Sequence, residues 1–251
     1  MMMPRIVAAE ALDSLDANDP IAIRSRRDLQ RVHQFMGTRG ILVQALQSLA
    51  APRPDSTRLR ILELGAGDGS LMLNVAGALK AYWPVADITL LDRQDLVTRS
   101  TLDGYARLGW TARTQVIDVF DWAAAPARTG STTTGQWDVI VANLFLHHFE
   151  GRLLTELLSA IEARTRCFFA CEPRRARLAL AGSHLVGAIG ANAVTRQDAV
   201  LSVHAGFRDH ELDELWPGQR SVWTTAEYAA GLFSHCFLAR RHVTASAETS
   251  P

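Results

Sequence analysis

Residues 63–70, Glu63 to Ser70, read ELGAGDGS; they follow the apolar run RLRIL and open the helical pattern DGSLMLNVAGALKAYW. An apolar strand that ends in glycines and turns into a helix is where a parallel sheet binds ligands. Glycines let the backbone come close to a ligand, and the first turn of the helix offers unpaired N–H groups. Two cofactor classes compete for such a turn. A dinucleotide fingerprint needs G-x-G-x-x-G/A; Gly65 and Gly67 fit it, but Ser70 stands where the third small residue belongs. The pattern written is E-x-G-x-G-x-G, from Glu63 through Gly65 and Gly67 to Gly69. A glycine turn alone is a weak signal, so its surroundings must decide.

Downstream, strand and helix patterns alternate. DITLLD reads as a strand, DLVTRSTLDGYARLG as a helix, TARTQVIDVF as a strand and DWAAAPARTGSTTTGQ as mostly loop. WDVIVANL is a strand, a helix runs through Ala163, and CFFACEP is a fifth strand. Such alternation gives a parallel sheet with helices on both faces. Residues 174–216 are apolar, glycine-containing and helical in pattern. SVWTTAEYA and GLFSHCFLARRH, joined at AG, read as an antiparallel hairpin. Upstream, Leu29, Val32, Phe35 and Met36, then Ile41, Leu42, Ala45, Leu46 and Leu49, fall at helical spacing, with Gly37 and Gly40 marking a break. APRPDSTR is a Pro-rich linker.

The expected fold is therefore α/β: a doubly wound, mostly parallel, seven-stranded Rossmann-like sheet with an antiparallel terminal hairpin. Residues 1–51 form a helical N-terminal cap. Residues 52–245 form the ligand-binding domain with a helical lid at about 174–216, and residues 246–251 are a frayed tail.

Lys+Arg and Asp+Glu both number 26, which argues against a general nucleic-acid binder, since that needs a basic face to release counterions. The N-terminus lacks a secretory pattern, and no apolar run reaches the roughly 18 residues of a membrane span. Cys167, Cys171 and Cys236 make no disulfide framework. On a strand, Cys167 and Cys171 share a face but sit roughly 13 Å apart, at about 3.3 Å per residue, too far for one metal. They read as buried reduced thiols in a cytoplasmic protein.

The glycine pattern resembles motif I of the class I S-adenosylmethionine (SAM) methyltransferases. It is similar to the small-molecule enzymes related to ubiquinone/menaquinone-biosynthesis methyltransferases, over about Leu59 to Pro173. The helix DLQRVHQFMG resembles their N-terminal cap helix. A reversed final strand belongs to that fold and is not expected in a standard dinucleotide-binding domain. The resemblance implies SAM held at Glu63, Gly65, Ala66, Gly67 and Gly69, with Asp92 and Arg93 at the ribose. Asp92 suits NAD equally. At the adenine it implies Asp118 and Val119, with Asp121 a nearby rival, and at the methionine part Asn143 and Leu144.

Adjacent histidines end the stretch VANLFLHHFE. One imidazole, titrating near neutral pH, suits removal of a hydroxyl proton. His147 and His148 are the catalytic candidates, with His147 preferred because Phe149 is expected to pack inward with Phe145. Adjacent residues entering a helix should diverge, and no third ligand is evident, so no metal is expected. The segment NLFLHH is not the N/D-P-P-Y/F of amino-methyltransferases of nucleic-acid bases, and no Cys stands in a family position for pyrimidine C5 attack.

The resemblance places the acceptor between cap and lid. Leu178, Leu185, Val186, Ile189 and Val194, with small neighbours at Gly182, Gly187 and Gly190, suggest an apolar cavity there. His33, Arg39, Arg174 and His184 are the substrate-binding candidates, with Glu172, Arg175 and His204 nearby. The expected activity is methyl transfer from SAM, giving S-adenosylhomocysteine (SAH), to a small, rather apolar acceptor. O-methylation of a phenolic, polyketide or quinone-like compound of secondary metabolism is favoured. A homodimer is compatible with this reading. A SAM-binding accessory protein without catalysis and a nicotinamide-dependent oxidoreductase are the alternatives.

Overall fold

The computed structural model describes residues 3–49, 58–83, 85–126 and 137–242. Most of the Pro-rich linker, part of the loop expected after Phe120, and the tail 246–251 lie outside the described residues. Five parallel strands carry the cleft: β1 (Leu59–Leu64), β2 (Ala86–Asp92), β3 (Thr111–Val116), β4 (Trp137–Asn143) and β5 (Thr165–Pro173). The terminal hairpin of β6 (Trp223–Ala230) and β7 (Ser234–Arg241) completes a seven-stranded sheet ordered β3-β2-β1-β4-β5-β7-β6. β7 runs antiparallel to β5, as expected. Strand order reverses at β1 and β4, so the crevice at the switch point opens at their carboxyl ends. The register keeps those ends level: Leu64 pairs with Leu91 and with Ala142, and Asn143 with Cys171.

Alternate side chains of the central strands enter opposite cores. Leu62, Leu64, Ile140, Ala142, Phe168 and Phe237 pack under α7 (Gly151–Arg164). Ile61, Ile88, Leu90, Val139, Val141 and Phe169 pack under α4 (Ser70–Leu79) and α3 (Thr38–Leu49). Residues buried on both faces explain the near-continuous apolar runs of β1 and β4. Leu158→Ala, at a fully buried position, would cost about 2–5 kcal/mol by this packing.

Three local readings differ from the sequence expectation. α2 (Pro20–Met36) ends at Gly37, which is left-handed at φ 68°, but Gly40 lies inside α3 and breaks nothing. The third strand stops at Val116. Asp118 then caps α6 (Val119–Ala124) by accepting from Phe120 N at 2.7 Å, and hydrogen bonds to the cap outcompete further extended backbone. The pair His147–His148 lies in a 3-10 turn, Leu146–His148, ahead of α7 rather than in an α-helix. Between β5 and β6 lie α8 (Arg177–His184), α9 (Ala193–Ala205) and α10 (Glu211–Leu215). The extended residues 3–10 and the short α1 (Ala11–Ser14) cross the carboxyl edge of the sheet as a strap. Among the described residues, no helix is long and apolar enough to cross a membrane.

Candidate active site

The glycine turn works by shape. Gly65 has φ 66°, and a Cβ there would lie 2.3 Å from the Phe145 ring. Gly67 has φ 55° and faces open space, so its backbone can lie against a ligand. The turn borders two cavities. One, about 740 Å³, is lined by Gly65, Gly67, Asp92, Arg93, Asp118 and Val119. The other, about 580 Å³, is lined by Glu63, Ala66, Asn143, His33, Arg39 and His147.

Glu63 is 5 % exposed, and neither its Oε2 nor Asn143 Oδ1 has a hydrogen-bond partner among the described residues. Burial pushes the Glu63 carboxyl well above the usual range, and the charges of Asp68 and Asp92 add to this. Two orphaned buried acceptors in an acidic setting call for a donor, best a cationic one. Asp92 Oδ2 accepts from Gly67 N and its Oδ1 from Gln94 N, both at 2.9 Å, which fixes the carboxylate at the cavity wall. Asp118 lines the first cavity, whereas exposed Asp121 does not. Arg93 also borders that cavity, but its guanidinium is turned to the strap, donating to Asp13 O and pairing with Asp13 Oδ1 at 3.3 Å.

At the end of β4, Leu144 takes a left-handed φ of 48°, a strained setting for a branched side chain. Its N–H donates to Cys171 O at 2.9 Å. The turn beyond it is organised by Glu172, fully buried at the end of β5. Its carboxylate accepts from the N–H groups of Phe145 (3.1 Å), Leu146 (2.9 Å) and His147 (3.3 Å), and from His147 Nδ1 at 2.9 Å. His147 Nε2 in turn reaches Glu10 Oε1 at 3.3 Å. Burial alone would lower the His147 pKa. The hydrogen bonds and charges of Glu10 and Glu172 more than reverse this and raise it to about 9. At neutral pH His147 is therefore an imidazolium between two carboxylates.

His148 behaves oppositely. Its pKa is lowered by burial and by the charge on His147, against the pull of Glu10 and Asp13. Its side chain stays 23 % exposed, borders both large cavities, and places Nδ1 3.4 Å from Asp13 Oδ2. The two rings do not diverge. Their centroids are 4.2 Å apart, with the rings tilted by 33°. Ligand atoms of Glu10, His147 and His148 lie within 4.8 Å of one another. Both His147 nitrogens face carboxylates, Nδ1 that of Glu172 and Nε2 that of Glu10. Phe149 does pack on Phe145, edge to face at 5.2 Å.

A third, apolar cavity of about 90 Å³ lies between α2 on one side and α8 and α9 on the other, lined by Leu29, Val32, Met36, Val186, Ile189 and Phe233 among others. Of the expected substrate contacts, Arg39 donates to Asn74 O at 3.1 Å and borders the second cavity. His33 joins it there, its pKa pulled down to about 4 by burial against the opposing charge of Asp68. Arg174 and His184 are not brought to the site. Arg174 binds Gly231 O in the terminal hairpin, at 3.3 Å, because its backbone continues β5 past the cleft. His184 ends α8 on the exposed face. Glu10, Leu12, Asp13, Arg26 and Ser202 line the cavities without having been singled out in the sequence.

No protein-family model matches the chain, and no curated protein matches it. Solved structures do resemble it. The plantazolicin methyltransferase BpumL in complex with SAH superposes with a TM-score of 0.59 at 15% identity, covering 90% of this chain and 92% of that one. The plantazolicin methyltransferase BamL, in complex with a triazolic desmethylPZN analog and SAH, gives 0.59 at 11% identity over 91% and 92%. An O-methyltransferase family protein from Burkholderia thailandensis gives 0.54 at 15% identity, covering 90% of this chain and 61% of that one. The chain thus has the Rossmann-like fold of class I SAM-dependent methyltransferases.

Proposed function

We propose that the protein transfers a methyl group from SAM to a small acceptor with a rather apolar body, at a hydroxyl in preference. The observation that carries this reading is the pair of orphaned buried acceptors, Glu63 Oε2 and Asn143 Oδ1, beside a glycine turn whose Gly67 faces open space. They fit the α-ammonium group of the methionine part. Asp92 fits the ribose hydroxyls, Asp118 the adenine amino group, and Gly65 to Gly67 the close-lying backbone contacts. When bound, SAM supplies an electrophilic methyl group on a sulfonium.

The chain's own task is then to place the acceptor, exclude water and take up a proton. The strap and α2 wall the cleft, and the apolar cavity between α2 and α9 takes an alkyl part of the acceptor. His148 takes the hydroxyl proton at Nε2, with Nδ1 directed at Asp13. Being neutral at physiological pH, it has the free lone pair that His147 lacks. His147 is the fixed positive charge behind it, and keeps the pKa of its neighbour low.

Calorimetric titration with SAM, SAH and NADH, with Asp92→Ala alongside, tests this. SAH binding that the substitution weakens about 10-fold or more would support it, in line with the loss of hydrogen bonds to a charged group. NADH binding without SAH binding would replace it with the oxidoreductase reading. Turnover to SAH that survives in His148→Asn would remove the base assignment but not the cofactor.

A further inference from the structure

Glu10 lies on the extended strap just before α1, and its side chain borders the apolar cavity and both large ones. The strap is tied down along its length. Ile6 N donates to His204 O, Arg5 to the carbonyls of Ala205 and Phe149, and Ala11 N and Leu12 N to the two oxygens of Asp198. Glu10 Oε1 is itself fixed by His147 Nε2 and by the Ser202 hydroxyl. A carboxylate so held, at the meeting point of cofactor cleft and apolar cavity, faces whatever reacting group the acceptor brings.

We infer that Glu10 selects the acceptor's head group: it receives an O–H or N–H donor and turns away a carboxylate. This deepens the methyltransferase reading and rests on it for the word acceptor. Three features of the cavity support it. Its polar rim consists of Glu10, Asp198, Ser183, Thr195 and Ser202, and its lining contains no Lys, Arg or His. Thr195 Oγ1, 3 % exposed as a residue, has no hydrogen-bond partner among the described residues and can meet a ligand's hydroxyl. The cations nearby are engaged: His147 between Glu10 and Glu172, Arg26 on the Ala17 carbonyl, Arg93 on Asp13 and Arg39 on the Asn74 carbonyl. Within the apolar cavity's own lining the carboxylates of Glu10 and Asp198 stand with no cation beside them. An anionic head would lose its water and meet the Glu10 carboxylate, with the neighbouring cations already engaged, whereas a donor gains a charge-assisted hydrogen bond.

The cavity's size sets the probes. At about 90 Å³ it is smaller than the roughly 150 Å³ that holds a benzene, so it suits a short alkyl group, with a ring left at the junction. Para-butylphenol, para-butylbenzylamine and para-butylbenzoate share one apolar body and differ in the head. Each is titrated into the full chain, with and without saturating SAH. The phenol and the amine should bind about 10- to 100-fold more tightly than the benzoate, the range expected for one hydrogen bond to a charged group. In Glu10→Gln the gap should shrink to about 3-fold or less, while SAH affinity is retained. Benzoate binding as tightly as the phenol in the wild type would overturn the inference, whether or not the variant folds. So would an unchanged gap in a folded Glu10→Gln protein, or no binding by any probe while SAH binds. Failure of SAH to bind would strike the methyltransferase reading alone, since the head-group ranking is measured without SAH as well.

Discussion

Glu172→Gln is the sharpest test of how the histidine turn is held. The wild-type carboxylate is fully buried and accepts four hydrogen bonds, from three consecutive backbone N–H groups and from His147 Nδ1. A glutamine keeps one oxygen and puts an NH₂ donor where the other stood, so two donors lose their acceptor. At about 1–3 kcal/mol for each buried donor left unpaired, and about 3–5 kcal/mol for breaking a buried ion pair, the expected loss is about 3–5 kcal/mol. Urea unfolding followed by tryptophan fluorescence at neutral pH would measure it. The pH dependence gives a second reading. The His147 pKa is about 9 in the folded protein against an ordinary 6.5. The stability this contributes is fully present below pH 6.5 and fades as pH rises through 9. At 1.36 kcal/mol per unit, it is on the order of 3 kcal/mol. With one carboxylate gone, the His147 pKa falls, and the decline in stability between pH 7 and 9 flattens. A loss below about 1 kcal/mol, or an unchanged slope over that window, would refute the argument.

Four other outcomes follow from the structure. Gly65→Ala meets the Phe145 ring at 2.3 Å and a left-handed φ, so thermal unfolding should show a loss of about 1–3 kcal/mol. Gly67→Ala, with the same backbone hand but open space, should cost about 1–2 kcal/mol yet weaken SAH binding more, as calorimetry would show. Arg93→Ala should lower stability by less than about 1 kcal/mol, its ion pair being half exposed, while limited proteolysis within residues 3–19 speeds up. NMR titration should place the His148 pKa below 6.5, and His147→Asn should move it upward by removing the neighbouring charge.

The sheet was legible because its signals are local and redundant. β1, β2 and β4 are apolar runs that a glycine, aspartate or asparagine brings to an end, and the hairpin shows as two strand-like runs around Gly231. Errors arose where one hydrogen bond shifts a boundary. TARTQVIDVF keeps its strand pattern past Val116, yet Asp118 capping Phe120 N starts a helix there. In the cleft, Glu63, Gly65, Gly67, Asp92, Asp118 and Asn143 all came to the cavities, because strand ends in this topology fix where those residues go. Arg174 lies away from the cavities for the same reason in reverse. It follows the end of a strand, but β5 is flanked by β7, so the residue after it meets the terminal hairpin instead of the cleft.

Long-range charge is what local pattern does not carry. From the sequence, His147 and His148 are two equal imidazoles, and a packing argument favoured the first as a base. What separates them are carboxylates 25 and 137 positions away in the chain, Glu172 and Glu10, which converge on one ring and leave the other. Nothing periodic marks Glu10: it stands in an extended segment whose backbone finds its partners on Asp198 and His204, not within itself. The Glu10 and Glu172 carboxylates keep His147 charged, burial and then the charge on His147 hold the His148 pKa down, and a neutral imidazole is able to take a proton. If this order of effects holds, Glu10→Gln disturbs both head-group choice and base strength, whereas Asp13→Asn disturbs the orientation of His148 alone. The two substitutions therefore divide selection from proton transfer within one strap.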